Sequence, residues 1–229
     1  MLELKDVSKA YGDGDQKQLV LSQMNWSFEV GKFTALMGKS GSGKSTVLNL
    51  LSGLDQPDQG QVIFFGQNLY ARSDASLSDM RLTNFGYIFQ SFNLISNLTT
   101  YENIEYPLYL MNIKSAERKE KTLKMAEELG LMSFRDKLPS QLSGGQRQRV
   151  AIGRALVKKP KYIFADEPTA NLDEQTGAEI ISLIQKMQKQ HGTTVVYVTH
   201  DLDIVNIADT CLYLTNRKIE NYDRTRHSY

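Results

Sequence analysis

A single cysteine, Cys211, stands among 229 residues. No intramolecular disulfide can form, and a cysteine-rich zinc site is excluded. That usage fits a reducing, cytosolic setting. Neither sign of charge is in excess. With 27 Lys and Arg against 26 Asp and Glu the net charge is +1, so no bulk field draws the chain to nucleic acid or to an anionic membrane. No apolar run approaches the ~18 residues that a membrane helix needs. The longest, such as Thr193–Thr199, are strand-length, and the chain is not expected to cross a membrane by itself. The opening MLELKDVSKAYGDGD lacks an apolar stretch behind a basic start, so no signal peptide is expected. Proline is sparse, at 5, and there is no internal repeat, low-complexity tract or long linker. What remains, 41% hydrophobic and 23% charged, is the composition of an ordinary globular protein. At about 150 residues per domain the length allows one or two domains.

The first third consists of short apolar runs, Leu2–Val7, Leu19–Val30, Phe33–Met37 and Gln61–Phe65, punctuated by Gly12, Gly14, Gly31 and Gly60. Such punctuation marks strands. A helix is expected over Lys44–Ser52, with Val47, Leu48, Leu50 and Leu51 on its buried side and Gly53 as its stop. From about Ser91 to Lys159 the signals turn helical. Ser115–Leu129 opens on a candidate N-cap and ends at Gly130, and a second helix over Gly145–Val157 stops before Pro160. Strand signals return at Tyr162–Ala165 and at Thr193–Thr199. Between them Glu174–Gln190 places Ile180, Ile181, Ile184 and Met187 at helical spacing. Strand–helix–strand alternation predicts an α/β protein with a doubly wound, mainly parallel sheet, into which the helical middle is inserted.

Residues 38-GKSGSGKS-45 satisfy G-x-x-x-x-G-K-[ST] at every fixed position, with an apolar run before and a helix after. Gly38, Gly41 and Gly43 let the backbone curl until successive N–H groups converge on phosphate oxygens. Lys39, Ser40 and Ser42 fill the loop, and Thr46 follows it in the first helical turn. Lys44 supplies a mobile positive charge for the outer phosphates, and the Ser45 hydroxyl is placed to ligand Mg²⁺. A second acidic site follows the run Tyr162–Ala165, which delivers Asp166 and Glu167 at a strand end. Asp166 is placed to hold Mg²⁺ through water, and Glu167, one residue on, to act on an attacking water. A third feature is 142-LSGGQ-146, in which Ser143 caps a helix while Gly144 and Gly145 leave its amides open to an anion.

This pentapeptide, followed by Arg147-Gln148-Arg149, resembles the signature motif of ATP-binding cassette (ABC) ATPases, and the remaining motifs of that family occur in the expected order. By this resemblance Ser143, Gly144, Gly145 and Gln146 meet the ATP held by a partner protomer. Tyr11 resembles the aromatic residue that stacks on adenine, and Gln90, in 86-GYIFQSFNL-94, the glutamine that joins the Mg²⁺ shell and senses the γ-phosphate. Asn171, Leu172 and Asp173 resemble the loop through which protomers communicate, and His200 the switch histidine that acts with Gln90 and Glu167 in catalysis. The family implies a P-loop NTPase core with an N-terminal antiparallel β part and an inserted helical subdomain. The whole of 1–229 would form one ABC ATPase domain, with core segments at about 1–90 and 160–229 and the helical subdomain at about 91–159. It further implies a homodimer that sandwiches two ATP molecules head to tail with Mg²⁺. The dimer would drive integral-membrane permease subunits from the cytoplasmic face of the cell membrane, with no nucleic-acid partner.

The stretches 84-NFGYIFQSFNLISNLTTYENIEYPL-108 and 165-ADEPTANLD-173 resemble the branch serving lipoprotein release, macrolide export and antimicrobial-peptide resistance, in which the ATPase is a separate short chain. Gly153 departs from the Ala expected there and Ala170 from the common Gly. An exporter or an extracytoplasmic mechanotransmission system is therefore the leading expectation. The alternative is the ATPase of a non-transporting signalling complex of the cell-division type. Soluble relatives that act on nucleic acid carry a long coiled coil or two cassettes, and this sequence has neither.

Overall fold

The structure is a computed structural model that describes residues 1–223. Its elements, in chain order, are β1 (Leu2–Tyr11), β2 (Gln18–Phe28), β3 (Phe33–Met37), α1 (Lys44–Ser52), β4 (Gln59–Phe64), β5 (Gln67–Asn68), α2 (Asp74–Asn84), β6 (Phe85–Ile88), α3 (Thr100–Leu110), α4 (Ser115–Glu128), α5 (Gly144–Leu156), β7 (Tyr162–Asp166), α6 (Glu174–His191), β8 (Thr194–Val198), β9 (Thr210–Thr215) and β10 (Lys218–Asn221). The protein is α/β, and it packs as two compact units. One comprises Met1–Arg81 with the chain from Thr194 onward, the other Leu82–Thr193.

The first unit has an antiparallel sheet in the order β2-β1-β4-β5. Leu2, Leu4, Val7, Leu21, Met24, Phe28 and Val62 give it a buried face. Its second sheet is parallel at the centre, with β3 between β8 (Phe33 opposite Val195) and β9 (Thr34 opposite Thr210), while β10 returns antiparallel on β9. Every residue of β3 and of β8 is buried, which is why both read as unbroken apolar or β-branched runs. Helix α1 packs against β8 and β1. It buries Val47, Leu48, Leu50 and Leu51, and ends where the Gly53 amide donates to the Asn49 and Leu50 carbonyls with Gly53 at φ 74°.

In the second unit β6 and β7 pair in parallel, Phe85 opposite Tyr162 through Ile88 opposite Ala165. The Phe85 ring stands edge-on to Tyr162 and Phe164. Helix α5 packs on β6 and α3, and α3 on α4. Gly153 of α5 has a local reason to be glycine, because a Cβ there would lie 2.7 Å from Leu129 Cδ1 and 3.1 Å from Ile104 Cγ1. Two local expectations change. Ser115 is the first residue of α4 and not its cap; the N-cap is Lys114, which makes no side-chain capping bond. The helical stretch also contains α3, which begins at a Thr99–Glu102 capping box and carries Pro107 inside it. Among the described residues no helix is long and apolar enough to cross a membrane.

Candidate nucleotide-binding site

The phosphate loop leaves β3, a strand buried at every position, so its starting point is fixed. At Gly38 (φ 153°) a Cβ would lie 2.8 Å from the Leu214 carbonyl oxygen and from Ser42 Oγ. At Gly43 (φ 103°) it would lie 2.7 Å from Val20 Cγ1. Only glycine follows this path. Lys44 is buried, and its Nζ donates to the Gly38 and Lys39 carbonyls at 3.0 and 3.2 Å, which folds the ammonium back over the loop. Ser42 Oγ is buried without a hydrogen-bond partner. Gly43 is the N-cap of α1 and supplies no side-chain bond to the first turn. An unsatisfied hydroxyl, a helix N-terminus without a side-chain cap and a lysine together make a cradle for phosphate oxygens. Lys39, Ser40, Gly41 and Ser45 are exposed along it.

Tyr11 closes β1 beside the same helix. Its Oη donates to Asp55 Oδ2 at 2.7 Å and lies 3.5 Å from Thr46 Oγ1, and the residue stays 41% exposed. His200 follows β8 and is exposed. The next amide, that of Asp201, donates to Thr199 Oγ1, and Asp201 Oδ1 accepts from the Asp203 amide to open a short 3-10 turn.

In the second unit, four apolar residues of β7 are buried and the chain emerges at Asp166. The Asp166 carboxylate lies close enough to Tyr87 to push that phenol up, after burial, the larger cause. Glu167 has φ 42°, a left-handed conformation that costs a non-glycine residue about 1–3 kcal/mol and that clusters where function holds a side chain in place. Gln90 is exposed, and its carbonyl accepts from Asn171 Nδ2 at 3.0 Å. The signature helix opens as expected, with the Gln146 amide donating to Ser143 Oγ at 3.3 Å and the Ser143 amide to Gln146 Oε1 at 2.9 Å. A Cβ on Gly144 would come within 3.2 Å of Leu172 Cδ2, and one on Gly145 within 2.6 Å of Thr176 Cγ2. The signature glycines therefore let the loop Asn171–Asp173 and the start of α6 pack directly on α5. Asp173 caps α6, and the Thr176 amide bond to it holds its carboxyl below the ordinary range. Gln90, Ser143–Gln146 and Asn171–Asp173 are thus gathered in one unit.

Sequence reasoning had no signal for what braces these parts. Arg154 of α5 donates to the carbonyls of Asn93 (2.6 Å) and Phe92 (2.9 Å), both in left-handed backbone just after Gln90. The Arg147 guanidinium lies 5.1 Å over the Phe92 ring. The signature helix thereby holds the loop that presents Gln90.

A strand, a glycine loop and a lysine-bearing helix of this geometry define a P-loop nucleotide-binding protein. The sequence profile of the ABC transporter family matches residues 21–170. The chain is 41% identical over 220 residues to the uncharacterized ABC transporter ATP-binding protein YbbA of Escherichia coli (strain K12), covering 96% of each. It is 41% identical over 219 residues to the macrolide export ATP-binding/permease protein MacB of Pasteurella multocida (strain Pm70), covering 96% of this chain and 34% of that one. To the ABC transporter ATP-binding protein MJ0796 of Methanocaldococcus jannaschii it is 40% identical over 230 residues. The dimeric structure of that cassette in a post-hydrolysis state bound to ADP and Pi superposes with a TM-score of 0.89 at 39% identity, covering 97% of this chain and 98% of that one. The protein belongs to the ABC transporter family, as an ATPase cassette similar to the macrolide-export branch.

Proposed function

We propose that two copies of this chain close head to tail on two ATP molecules and that hydrolysis reopens them, driving a separate membrane permease of an exporter or extracytoplasmic mechanotransmission system. The observation that carries this reading is the construction of the α5 start. A capped helix N-terminus with two glycines receives anions, yet it carries neither a lysine nor the P-loop, so it suits the phosphates of an ATP held elsewhere. The ADP- and Pi-bound relative is a dimer, which supports a partner protomer as the holder.

In each copy the loop Gly38–Ser45, with Thr46, would hold the phosphates and Tyr11 the base. Glu167 would take the proton from the attacking water, with Gln90 and His200 completing the catalytic set at the γ-phosphate. Ser45, Asp166 and Gln90 would hold Mg²⁺; all three offer oxygen donors, the ligand type this cation takes. When bound, that ion neutralises charge on the phosphates. Ser143–Gln146 would cover the partner's ATP. Asn171–Asp173, packed on the signature helix, would report each site to the other. Differential affinity of ATP and ADP for the closed dimer supplies the mechanical step. The core at about 1–90 and 160–229 and the helical subdomain at about 91–159 would then act as the two working parts of one ATPase domain, at the cytoplasmic face of the membrane.

The test is turnover by the signature variants. Gly145→Asp adds a carboxylate at the helix start proposed to meet the partner's γ-phosphate; because a Cβ here would lie 2.6 Å from Thr176 Cγ2, Gly145→Ala is the matched control. Wild-type turnover should rise more steeply than linearly with protein concentration, Gly145→Ala should retain measurable turnover, and Gly145→Asp should bind ATP yet hydrolyse none. Turnover by Gly145→Asp equal to that of Gly145→Ala contradicts the composite site.

A further inference from the structure

Tyr11 is fixed at two points by residues that no motif contains. Lys9, two positions earlier on β1, is buried. Its Nζ donates to Asp55 Oδ1 at 2.7 Å and to the Gln56 carbonyl at 2.8 Å, and lies 5.1 Å from the centroid of the Tyr11 ring. Asp55 accepts on its other oxygen from Tyr11 Oη, so one carboxylate ties the cation under the ring to the hydroxyl at the ring's end. Asp55 is itself held. Its amide donates to the Asn49 carbonyl at 3.2 Å, its carbonyl accepts from the Tyr70 hydroxyl, and its Oδ1 accepts from the Gln56 amide. Burial alone would raise the Asp55 carboxyl, but the bonds from Lys9, Tyr11 and the Gln56 backbone bring it below the ordinary range, so it remains an ionised acceptor at neutral pH. Asp58 ties the strand again, accepting from the Ala10 amide at 2.8 Å.

The consequence is a ring with one face over a cation, its tip locked, and 41% of the residue still open. Asn49, which holds the Asp55 amide, and Thr46, which neighbours the Tyr11 hydroxyl, both lie on α1, the helix that opens at the phosphate loop. The distance from ring to cradle is therefore set by one rigid element. A cation on one face of an aromatic ring draws π density toward it, which lowers repulsion with a second π system stacked on the opposite face.

We propose that Lys9 and Asp55 are positioning residues for the nucleotide base, which orient the Tyr11 ring and condition its open face for stacking on adenine. This rests on the reading of Tyr11 as the base-stacking residue. It predicts that their contribution to binding exists only when the ligand carries a base.

The experiment compares Mg-ATP with Mg-tripolyphosphate, the same phosphates without nucleoside, by calorimetry on wild type, Lys9→Met, Lys9→Arg and Lys9→Met combined with Tyr11→Ala. The readout is the ratio of the two dissociation constants, in which a general change of charge or folding divides out. Lys9→Met should weaken ATP about three- to tenfold, in keeping with a partly buried cation–π contact, and leave tripolyphosphate unchanged. Lys9→Arg, which keeps a cation over the ring, should restore most of the ratio. In the Tyr11→Ala background Lys9→Met should change neither ligand. Equal weakening of both ligands, unchanged ATP affinity, or a full Lys9→Met effect without the Tyr11 ring would each overturn the proposal. Wild type that prefers ATP over tripolyphosphate not at all would overturn the reading of Tyr11 itself, while leaving the phosphate cradle standing.

Discussion

Removing the charge at Lys44 tests the phosphate cradle at its most loaded point. Two hydrogen bonds from Nζ run to the Gly38 and Lys39 carbonyls. The side chain braces the loop, and the same ammonium is the charge proposed to face the outer phosphates. A hydrogen bond to a charged group contributes about 1.5–3 kcal/mol, so one lost contact to phosphate weakens binding roughly 10- to 150-fold at about 1.4 kcal/mol per decade. Untying Gly38 and Lys39 should add to that, because both belong to the loop proposed to hold the phosphates. Lys44→Ala and Lys44→Met should both weaken Mg-ATP by about a hundredfold or more in calorimetry. The Gly38 carbonyl is buried, so losing its donor should cost about 1–3 kcal/mol and lower the melting temperature by about 2–12 °C, at about 2–4 °C per kcal/mol in a chain of this size. Either variant binding Mg-ATP as tightly as wild type would refute the cradle.

Two further substitutions probe the second unit. Gly153→Ala gains up to about 1 kcal/mol of helix propensity but forces Leu129 and Ile104 aside, an overpacking that costs about 1–3 kcal/mol. Thermal unfolding should show net destabilisation of about 1 kcal/mol with ADP affinity unchanged, and a higher melting temperature would contradict the packing. Arg154→Met removes both bonds that hold the Phe92 and Asn93 carbonyls. ADP affinity should hold while amide exchange quickens over residues 90–94 and turnover falls about tenfold, since small misplacements of a positioned group have effects of that order or larger. Unchanged exchange in that loop would show that Arg154 does not brace it.

The parts legible in the sequence are those whose chemistry is contiguous. Phe33–Met37 reads as a buried strand because all five side chains face packed layers, and the loop that follows declares itself through glycines that cannot carry a Cβ. Ser143 and Gln146 form a reciprocal cap three residues apart, which any S-x-x-Q before a helix advertises. Thr99 and Glu102 advertise α3 in the same way, but Pro107 inside that helix argues against it locally, and tertiary packing prevails. Helix α2 buries only Leu77 and Met80, too few to mark a period. Ser115 looks like a cap by residue type alone, whereas the chain turns helical one residue earlier than a capping serine requires. Lys9 and Asp55 are 46 positions apart, and Arg154 lies 61 from Asn93. Such pairs exist only once the fold brings them together. The left-handed Glu167 is likewise a property of the closed turn, where the Ala170 amide bonds the Glu167 carbonyl, and no composition rule announces it.

The central claim, an ATP sandwich opened by hydrolysis, is tested most directly by Glu167→Gln in light scattering behind a sizing column. The change is isosteric, so the cradle, Asp166 and the signature helix should still bind Mg-ATP, while the group proposed to take the proton from water, an effect of about 10²–10⁴ in rate, is gone. The variant should elute at twice the monomer mass with Mg-ATP and as a monomer with ADP, and wild type should show the dimer only transiently. Normal hydrolysis by Glu167→Gln, or a monomer at high protein concentration under saturating Mg-ATP, would contradict the account.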